Sequence, residues 1–192
     1  MIENVVFLLE EKSAKAMIES LWPRIVSENA FILNKWCITF SGKQDLLKNI
    51  ELKIKCWKTP NTLFYILCDK DNENCINLKK RILESCKKAG ACNYLVRIAC
   101  AELESFYLGD LLAVEKAFNL NNLNRHQEKK CFRDPDNNVE KPDLKLKNIT
   151  NNLYSKVAGS REIGKYLNLK GQNKSQSFNF FINGLKNIII HN

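Results

Sequence analysis

The sequence predicts an α/β fold: a four-stranded, mainly parallel sheet flanked by helices, followed by a C-terminal helical extension. Three observations carry this. Thr62-Leu63-Phe64-Tyr65-Ile66-Leu67-Cys68 is an unbroken β-prone run that leads directly into Asp69-Lys70-Asp71. Such a run suits a strand covered on both faces, as in a parallel sheet between helix layers. Strand-like runs alternate with helix-periodic stretches of about ten to fifteen residues, the pattern of βα units with right-handed crossovers. Finally, three of the four expected strands end in carboxylates: Glu10 and Glu11, Asp69 and Asp71, Glu102 and Glu104.

Each element has its own signal. Residues 4–9 read as the first strand, running into Glu10-Glu11. Ala14, Met17, Ile18, Leu21 and Trp22 then recur at helical spacing up to Pro23 or beyond, with Ser13 able to cap. Phe31 to Phe40 gives the second strand, Gly42 a tight turn, and Lys43 the start of a helix carrying Leu46, Leu47, Ile50 and Ile54. After the third strand, a helix from about Glu73 to Lys88 offers Ile76, Leu78, Ile82, Leu83 and Cys86 to the core, and Gly90 ends it. Tyr94 to Ala99 is the fourth strand. From Asn119 to Asn152 the periodicity gives way to turn chemistry, as in Asp134-Pro135-Asp136-Asn137-Asn138 and Lys141-Pro142-Asp143. Residues 1–118 therefore read as the core, 119–152 as a loop-rich insert, and 153–192 as a helical extension packed on the core. That extension has one helical stretch, Leu153 to Leu167, interrupted near Gly159. A second, Ser177 to Ile190, sets Phe178, Phe181, Ile182, Leu185, Ile188 and Ile189 at helical spacing.

Composition narrows the function. The 192 residues include 30 Lys and Arg against 21 Asp and Glu, a formal charge of +9. This excess points to a polyanionic partner, although lysine is also the ordinary residue of solvated helix faces. No apolar run reaches the roughly 18 residues of a membrane span, and the first ten residues lack the pattern of a signal peptide. The eight cysteines are scattered, none as Cys-x-x-Cys. That spacing disfavours zinc and a disulfide framework and fits a reducing cytoplasm. Gly42-Lys43 is too short for a phosphate loop. The two histidines, His126 and His191, lie in turn-rich or terminal stretches, which disfavours histidine-dependent catalysis.

In open α/β sheets, ligands bind beyond the carboxyl ends of the strands, where Asp69-x-Asp71 is expected. That pair suits Mg²⁺, which takes hard oxygen ligands and is usually held by one or two carboxylates plus substrate phosphates. The plainer reading is that Asp71 or Asn72 starts the next helix. Three acidic strand ends on one rim favour the metal, because gathered carboxylates repel unless cations or protons neutralise them. A basic surface around such a hollow is what phosphodiester chemistry requires.

In order and spacing these residues resemble the TOPRIM domain, the topoisomerase–primase catalytic module. Its glutamate after the first strand is matched by Glu10-Glu11-Lys12-Ser13-Ala14, and its Asp-x-Asp after the third by Asp69-Lys70-Asp71. The chain is similar over nearly its whole length to a family of small stand-alone TOPRIM-like proteins, domain of unknown function 4276. The shared stretches include Trp22-Pro23-Arg24, Gly42-Lys43, Asp71 with Cys75, Arg97-Ile98-Ala99-Cys100-x-Glu102-Leu103-Glu104-Ser105 and Tyr107-Leu108-Gly109-Asp110. They continue through Arg133-Asp134-Pro135-Asp136, Pro142, Tyr154-x-Lys156 and Ser175-x-Ser177-Phe178.

The resemblance implies a metal-dependent nuclease. Asp69 and Asp71 would bind Mg²⁺ or Mn²⁺, with Glu10 a third ligand or a general acid or base. Glu104, and after it Glu102, would complete a second metal position. Two ions about 3.5–4 Å apart can stabilise both the attacking and the leaving oxygen of an in-line displacement. The resemblance also implies DNA or RNA as substrate and an ABC- or AAA-type ATPase partner, in a bacterial defence system. Lys43, Arg133 and Lys156 are candidates for phosphate contacts. Two departures bear on the chemistry: Glu11 replaces the glycine of the broader TOPRIM motif, and Ala14 replaces its acidic residue. With that carboxylate gone and no tyrosine to nominate as nucleophile, strand passage and religation drop out. Hydrolysis, or binding without cutting, remains.

Plainer roles stand beside these. Each lysine could simply be solvated, Arg133 could order its loop against Asp110, Tyr154 and Phe178 could be core, and Ser175 and Ser177 could be helix caps. A haloacid-dehalogenase-type phosphatase also uses Asp-x-Asp, but expects Thr or Val where Glu73 stands. A non-catalytic nucleic-acid-binding or regulatory subunit of an ATPase is the serious alternative.

Overall fold

In a computed structural model that describes residues 2–26 and 33–190, the apolar runs pair into one sheet. Its strands are β1 (Asn4–Leu9), β2 (Asn34–Thr39), β3 (Thr62–Asp69) and β4 (Asn93–Ala99), in the spatial order β2-β1-β3-β4 and parallel throughout. The two central strands, β1 and β3, are buried at every residue. Their unbroken apolar character has a direct cause: alternate side chains enter two different cores. Val5, Phe7, Leu9, Leu63, Tyr65 and Leu67 face one, and Val6, Leu8, Phe64, Ile66 and Cys68 the other.

The second core is closed by α2 (Lys43–Lys55) and α3 (Cys75–Lys88), through Leu46, Ile50 and Ile54 and through Leu78, Ile82 and Cys86. The first core is larger. It takes α1 (Lys12–Val26), α4 (Glu104–Leu108), α5 (Leu111–Ala117), α9 (Lys156–Gly164) and α10 (Gln176–Ile190). Phe181 packs edge-on against Tyr65 and forms an aromatic cluster with Phe106 and Phe178, and the Tyr65 hydroxyl donates to the Phe181 carbonyl at 2.6 Å.

Several expectations are corrected. The 119–152 stretch is not loop: it holds a short 3-10 turn (Asn124–His126), α6 (Lys130–Arg133), α7 (Pro135–Asn138) and α8 (Pro142–Ile149). Pro135 and Pro142 stand in the first turns of α7 and α8, a position where proline's missing N–H costs nothing. The prolines that read as turns are therefore helix starts. Leu123, Phe132, Val139 and Leu146 from this stretch join the first core, as do Tyr154, Ile163 and Phe178.

Gly159 does not interrupt its helix but lies within α9. Ser13 does not cap α1; it sits inside the helix and its hydroxyl donates to Glu11. The cap of α3 is Asn74, whose side chain accepts from the amides of Ile76 and Asn77, and Ile76 is 76% exposed rather than core. His126 is half-buried. Phe31 and His191 lie outside the described residues. Among those described, no helix is long and apolar enough to cross a membrane.

Phe178 is fully buried, so Phe178→Ala should lower unfolding stability by about 3–5 kcal/mol, the cost of deleting a packed phenyl ring. Urea titration followed by circular dichroism measures it; a loss below about 1 kcal/mol would mean that the α10 packing described here is wrong.

Candidate active site

Parallel register sets the strand exits level. Leu9 lies beside Leu67, and Asp69 beside Ala99. Glu10 therefore follows β1, Asp69 ends β3 and Glu104 opens α4 just past β4, all on one rim. All three are buried, with 8%, 7% and 1% of their surfaces exposed.

The rim manages this charge by local hydrogen bonds. Glu10 Oε2 accepts from the Asp69 amide at 2.9 Å and from Cys68 Sγ at 3.1 Å. Burial still raises the pKa of Glu10 against those bonds, and it pushes the Cys68 thiol far up as well. Asp69 is the focus. Burial, followed by the charges of Glu10, Glu104 and Glu11, lifts its pKa well above the usual carboxyl range. Glu104 is also raised by burial, although its Oε1 accepts a 2.7 Å hydrogen bond from the Tyr154 hydroxyl.

Tyr154 holds that position because residue 159 has no side chain. A Cβ on Gly159 would meet the tyrosine ring at 2.4 Å. The Tyr107 hydroxyl is buried beside Ser160, Glu104 and Asp69, without a well-formed hydrogen bond among the described residues. Sequence reasoning placed Tyr154 in the core, which is where its ring lies, but missed its hydroxyl contact. It also missed Tyr107 and Cys68.

The remaining sequence candidates are placed differently. Asp71 sits at φ +48° and 51% side-chain exposure, and it is engaged by Lys43. Lys43 is buried and donates to Asp71 Oδ2 at 2.6 Å and to the Lys70 carbonyl at 3.1 Å, with Glu73 Oε1 at 3.5 Å. Burial works against its charge, yet the Asp71 carboxylate holds its pKa above the ordinary lysine value. Glu102 Oε2 accepts from the Asp143 amide in the first turn of α8. Lys156 pairs with Glu11 at 3.4 Å. Arg133 is exposed, and its guanidinium makes no hydrogen bond or ion pair among the described residues. Asp110 accepts instead from the amides of Ala113 and Asn168.

Two hollows flank the rim. One of about 460 Å³ is lined by Glu10, Glu11, Phe40, Gly42 and Lys156 among others, and one of about 370 Å³ by Lys70, Asp71, Ala101, Asp136 and Lys141 among others. Asp136, buried, accepts from the Ser175 hydroxyl at 2.7 Å and the Ser177 amide at 2.8 Å. It thereby ties α7 to the start of α10. Its signal was present as part of Arg133-Asp134-Pro135-Asp136, but a turn-like setting concealed it. Among the described residues no group of three or more His, Cys, Asp or Glu side chains stands ready to hold a metal ion.

A family model described as "Domain of unknown function (DUF4276)" matches residues 9–186. Searches of curated proteins and of solved structures returned no match.

The raised pKa values of Glu10, Asp69 and Glu104 fix the sign of a pH dependence. Protons bound to the native carboxyls stabilise it below their unfolded values, 3.8 for Asp and 4.5 for Glu, and that contribution is lost as pH rises through the folded values. In chelator, Asp69→Asn should therefore gain Tm relative to the parent as pH goes from about 5 to about 8. A Tm difference that is flat or shrinks across that range in differential scanning fluorimetry contradicts the charge state assigned to the rim.

Separately, Gly159→Ala should weaken the protein, because the added methyl must displace the Tyr154 ring. Gly159→Ala paired with Tyr154→Leu should recover part of the loss, in a double-mutant cycle of urea midpoints. Additive losses would mean that the two positions do not press on each other.

Proposed function

The chain belongs to the DUF4276 family, whose model spans residues 9–186, and from its strand-exit carboxylates we propose a divalent-metal-dependent, TOPRIM-type hydrolysis of phosphodiesters. The observation that carries this reading is Asp69. It is a buried carboxyl at the end of β3, acted on by the charges of Glu10, Glu104 and Glu11 with no ion-paired cation among the described residues. Such an arrangement costs stability, and it is common where a site is tuned for chemistry.

The donor type suits a hard divalent ion, although the described carboxyls do not converge as a ready-made set of three. Carboxylate oxygens are the ligands Mg²⁺ and Mn²⁺ prefer, and Mg²⁺ needs only one or two of them when substrate phosphate supplies more. Asp69 and Glu104, with Glu10 next to them, would hold the ion. When bound, it would polarise a phosphoryl oxygen and acidify a water.

The chain's own groups do the rest. Tyr154 fixes one oxygen of Glu104, and the Asp69 amide fixes Glu10 Oε2. Glu10 Oε1 makes no hydrogen bond among the described residues and is the atom able to take a proton from an attacking water. A raised carboxyl pKa makes it a better base near neutral pH. The net charge of +9 favours a nucleic-acid substrate, DNA or RNA. Resemblance to stand-alone TOPRIM-like proteins encoded beside ABC- or AAA-type ATPases supports such an ATPase as partner in a defence system.

A second reading, a non-catalytic nucleic-acid-binding or regulatory subunit of that ATPase, draws on a different observation. Asp71 and Glu102 are committed to Lys43 and to the start of α8.

Nicking of supercoiled plasmid and of total tRNA with Mn²⁺, with and without any ABC- or AAA-type ATPase encoded beside it, separates the two. Under the hydrolytic reading Asp69→Asn abolishes cleavage, and Glu10→Gln slows it by about 10²–10⁴-fold, the range for a lost general base. Binding of either polymer with no cleavage under any of these conditions would establish the non-catalytic subunit instead.

A further inference from the structure

A third cavity, of about 410 Å³, lies along the outer edge of β4, a strand that pairs with β3 alone. That size is ordinary for a small-molecule site, about 300–1,000 Å³. Val96 and Ile98 form its apolar wall; α3 borders it with Cys75 and Lys79, and α10 with Gln176 and Phe180. These two helices serve opposite cores, α3 the second and α10 the first. The cavity is therefore a cleft between the helix layers, closed on its inner side by the edge strand.

Positive charge gathers there. Arg97 lines the cavity, and its guanidinium is held by neutral acceptors: Nε donates to the Phe180 carbonyl at 2.9 Å and Nη1 to the Val96 carbonyl at 3.2 Å. It forms no ion pair among the described residues, and neither does the exposed Lys79. A guanidinium fixed by carbonyls keeps its full charge, and its remaining N–H groups can serve an anion. Both α3 and α10 begin at the cavity, with Cys75 and Gln176 as their first residues, and helix N-termini favour negative charge. Asp136, the one acid in the lining, is already committed: Oδ1 accepts from the Ser175 and Ser177 hydroxyls and Oδ2 from the Ser177 amide. Phe180 adds an aromatic face, 63% exposed, whereas Phe178 and Phe181 on the same helix are fully buried. Cations beside an exposed ring are how unpaired nucleic acid is held, with phosphates on the charges and a base on the ring.

We propose that this cavity binds a nucleoside phosphate, its base on Phe180 against the Val96 and Ile98 wall and its phosphate on Arg97 and Lys79. The nucleotide is either free or the unpaired end of a strand; a duplex hides its base faces and is not held this way. Asp136 and Asn137 also line the hollow that contains Asp71, so a strand seated in the cavity continues toward the rim. No metal takes part, and the inference stands apart from the hydrolytic reading above.

Binding is measured by calorimetry in EDTA, which keeps metal and cleavage out of the readout, with adenosine 5′-monophosphate, ribose 5-phosphate and adenosine as probes. The monophosphate is expected to bind the parent, and the other two more weakly, since each lacks one half of the contact. Phe180→Ala should weaken the monophosphate by about 5–150-fold, the equivalent of one lost base stack. Lys79→Gln should weaken it too and lower its salt dependence. Both side chains are exposed, so neither change should move Tm in the absence of ligand. A 5′-phosphorylated single-stranded oligonucleotide that displaces the monophosphate identifies a strand end as the occupant; one that does not identifies a free nucleotide. A parent that binds neither the monophosphate nor the oligonucleotide overturns the proposal. So does equal affinity for ribose 5-phosphate, or a folded Phe180→Ala that binds as the parent does. If Phe180→Ala does not fold, as judged by circular dichroism, Lys79→Gln against the parent decides in its place.

Discussion

Asp69 is the point on which the rest of the structure turns. The central strand of a parallel sheet must be apolar on both faces, and this one ends, without a break, in a carboxyl buried among other carboxyls. Like charges taken out of water repel strongly, and the folded chain relieves this either by holding protons or by accepting a cation. The surrounding architecture follows from that conflict. The sheet cannot move the charge elsewhere, because the register that aligns β1, β3 and β4 also aligns their exits.

The neighbouring charges are handled locally, and the contrast is informative. Asp71, two residues on, has Lys43; Glu11 has Lys156; Glu102 caps α8; Asp136 accepts from two serines and a helix amide. Each of these acids is matched by a donor from a different element. Glu10 is met by a main-chain amide and a thiol and Glu104 by a tyrosine hydroxyl, with Lys43 and Lys156 acting on them without a hydrogen bond. Neutral donors stabilise a carboxylate less than a paired cation does. Neutral donors at Glu10 and Glu104, beside lysine pairing at Asp71 and Glu11, distinguish the candidate site from an ordinary acidic edge.

Much of the frame was legible in the sequence because its signals are local. The β1 and β3 runs, the periodicity of α2 and α10, and the carboxylates at the strand ends all follow from residues within one element. What escaped was tertiary. Lys43 meets Asp71 across 28 positions of chain and Asp136 meets Ser175 across 39, and no local pattern encodes either contact. The 119–152 stretch was misread because proline in a first helical turn and proline in a loop have the same sequence context. Ile76 was counted with the core, yet it lies in the first turn of α3 and is exposed, while Leu78, Ile82 and Cys86 form the buried face. Gly159 looked like a break because helix propensity counts against glycine, whereas packing requires the absence of a side chain there.

The bond from Cys68 to Glu10 carries a chemical corollary. A sulfur that is buried and donating its hydrogen to a carboxyl stays in the thiol form, and thiols are poor nucleophiles. Alkylating agents and peroxides should accordingly reach Cys56 and Cys92, which are exposed, well before they reach the one cysteine that touches the acidic rim. The sheet interior thus shields this reducing group from the oxidants that would modify it at the surface.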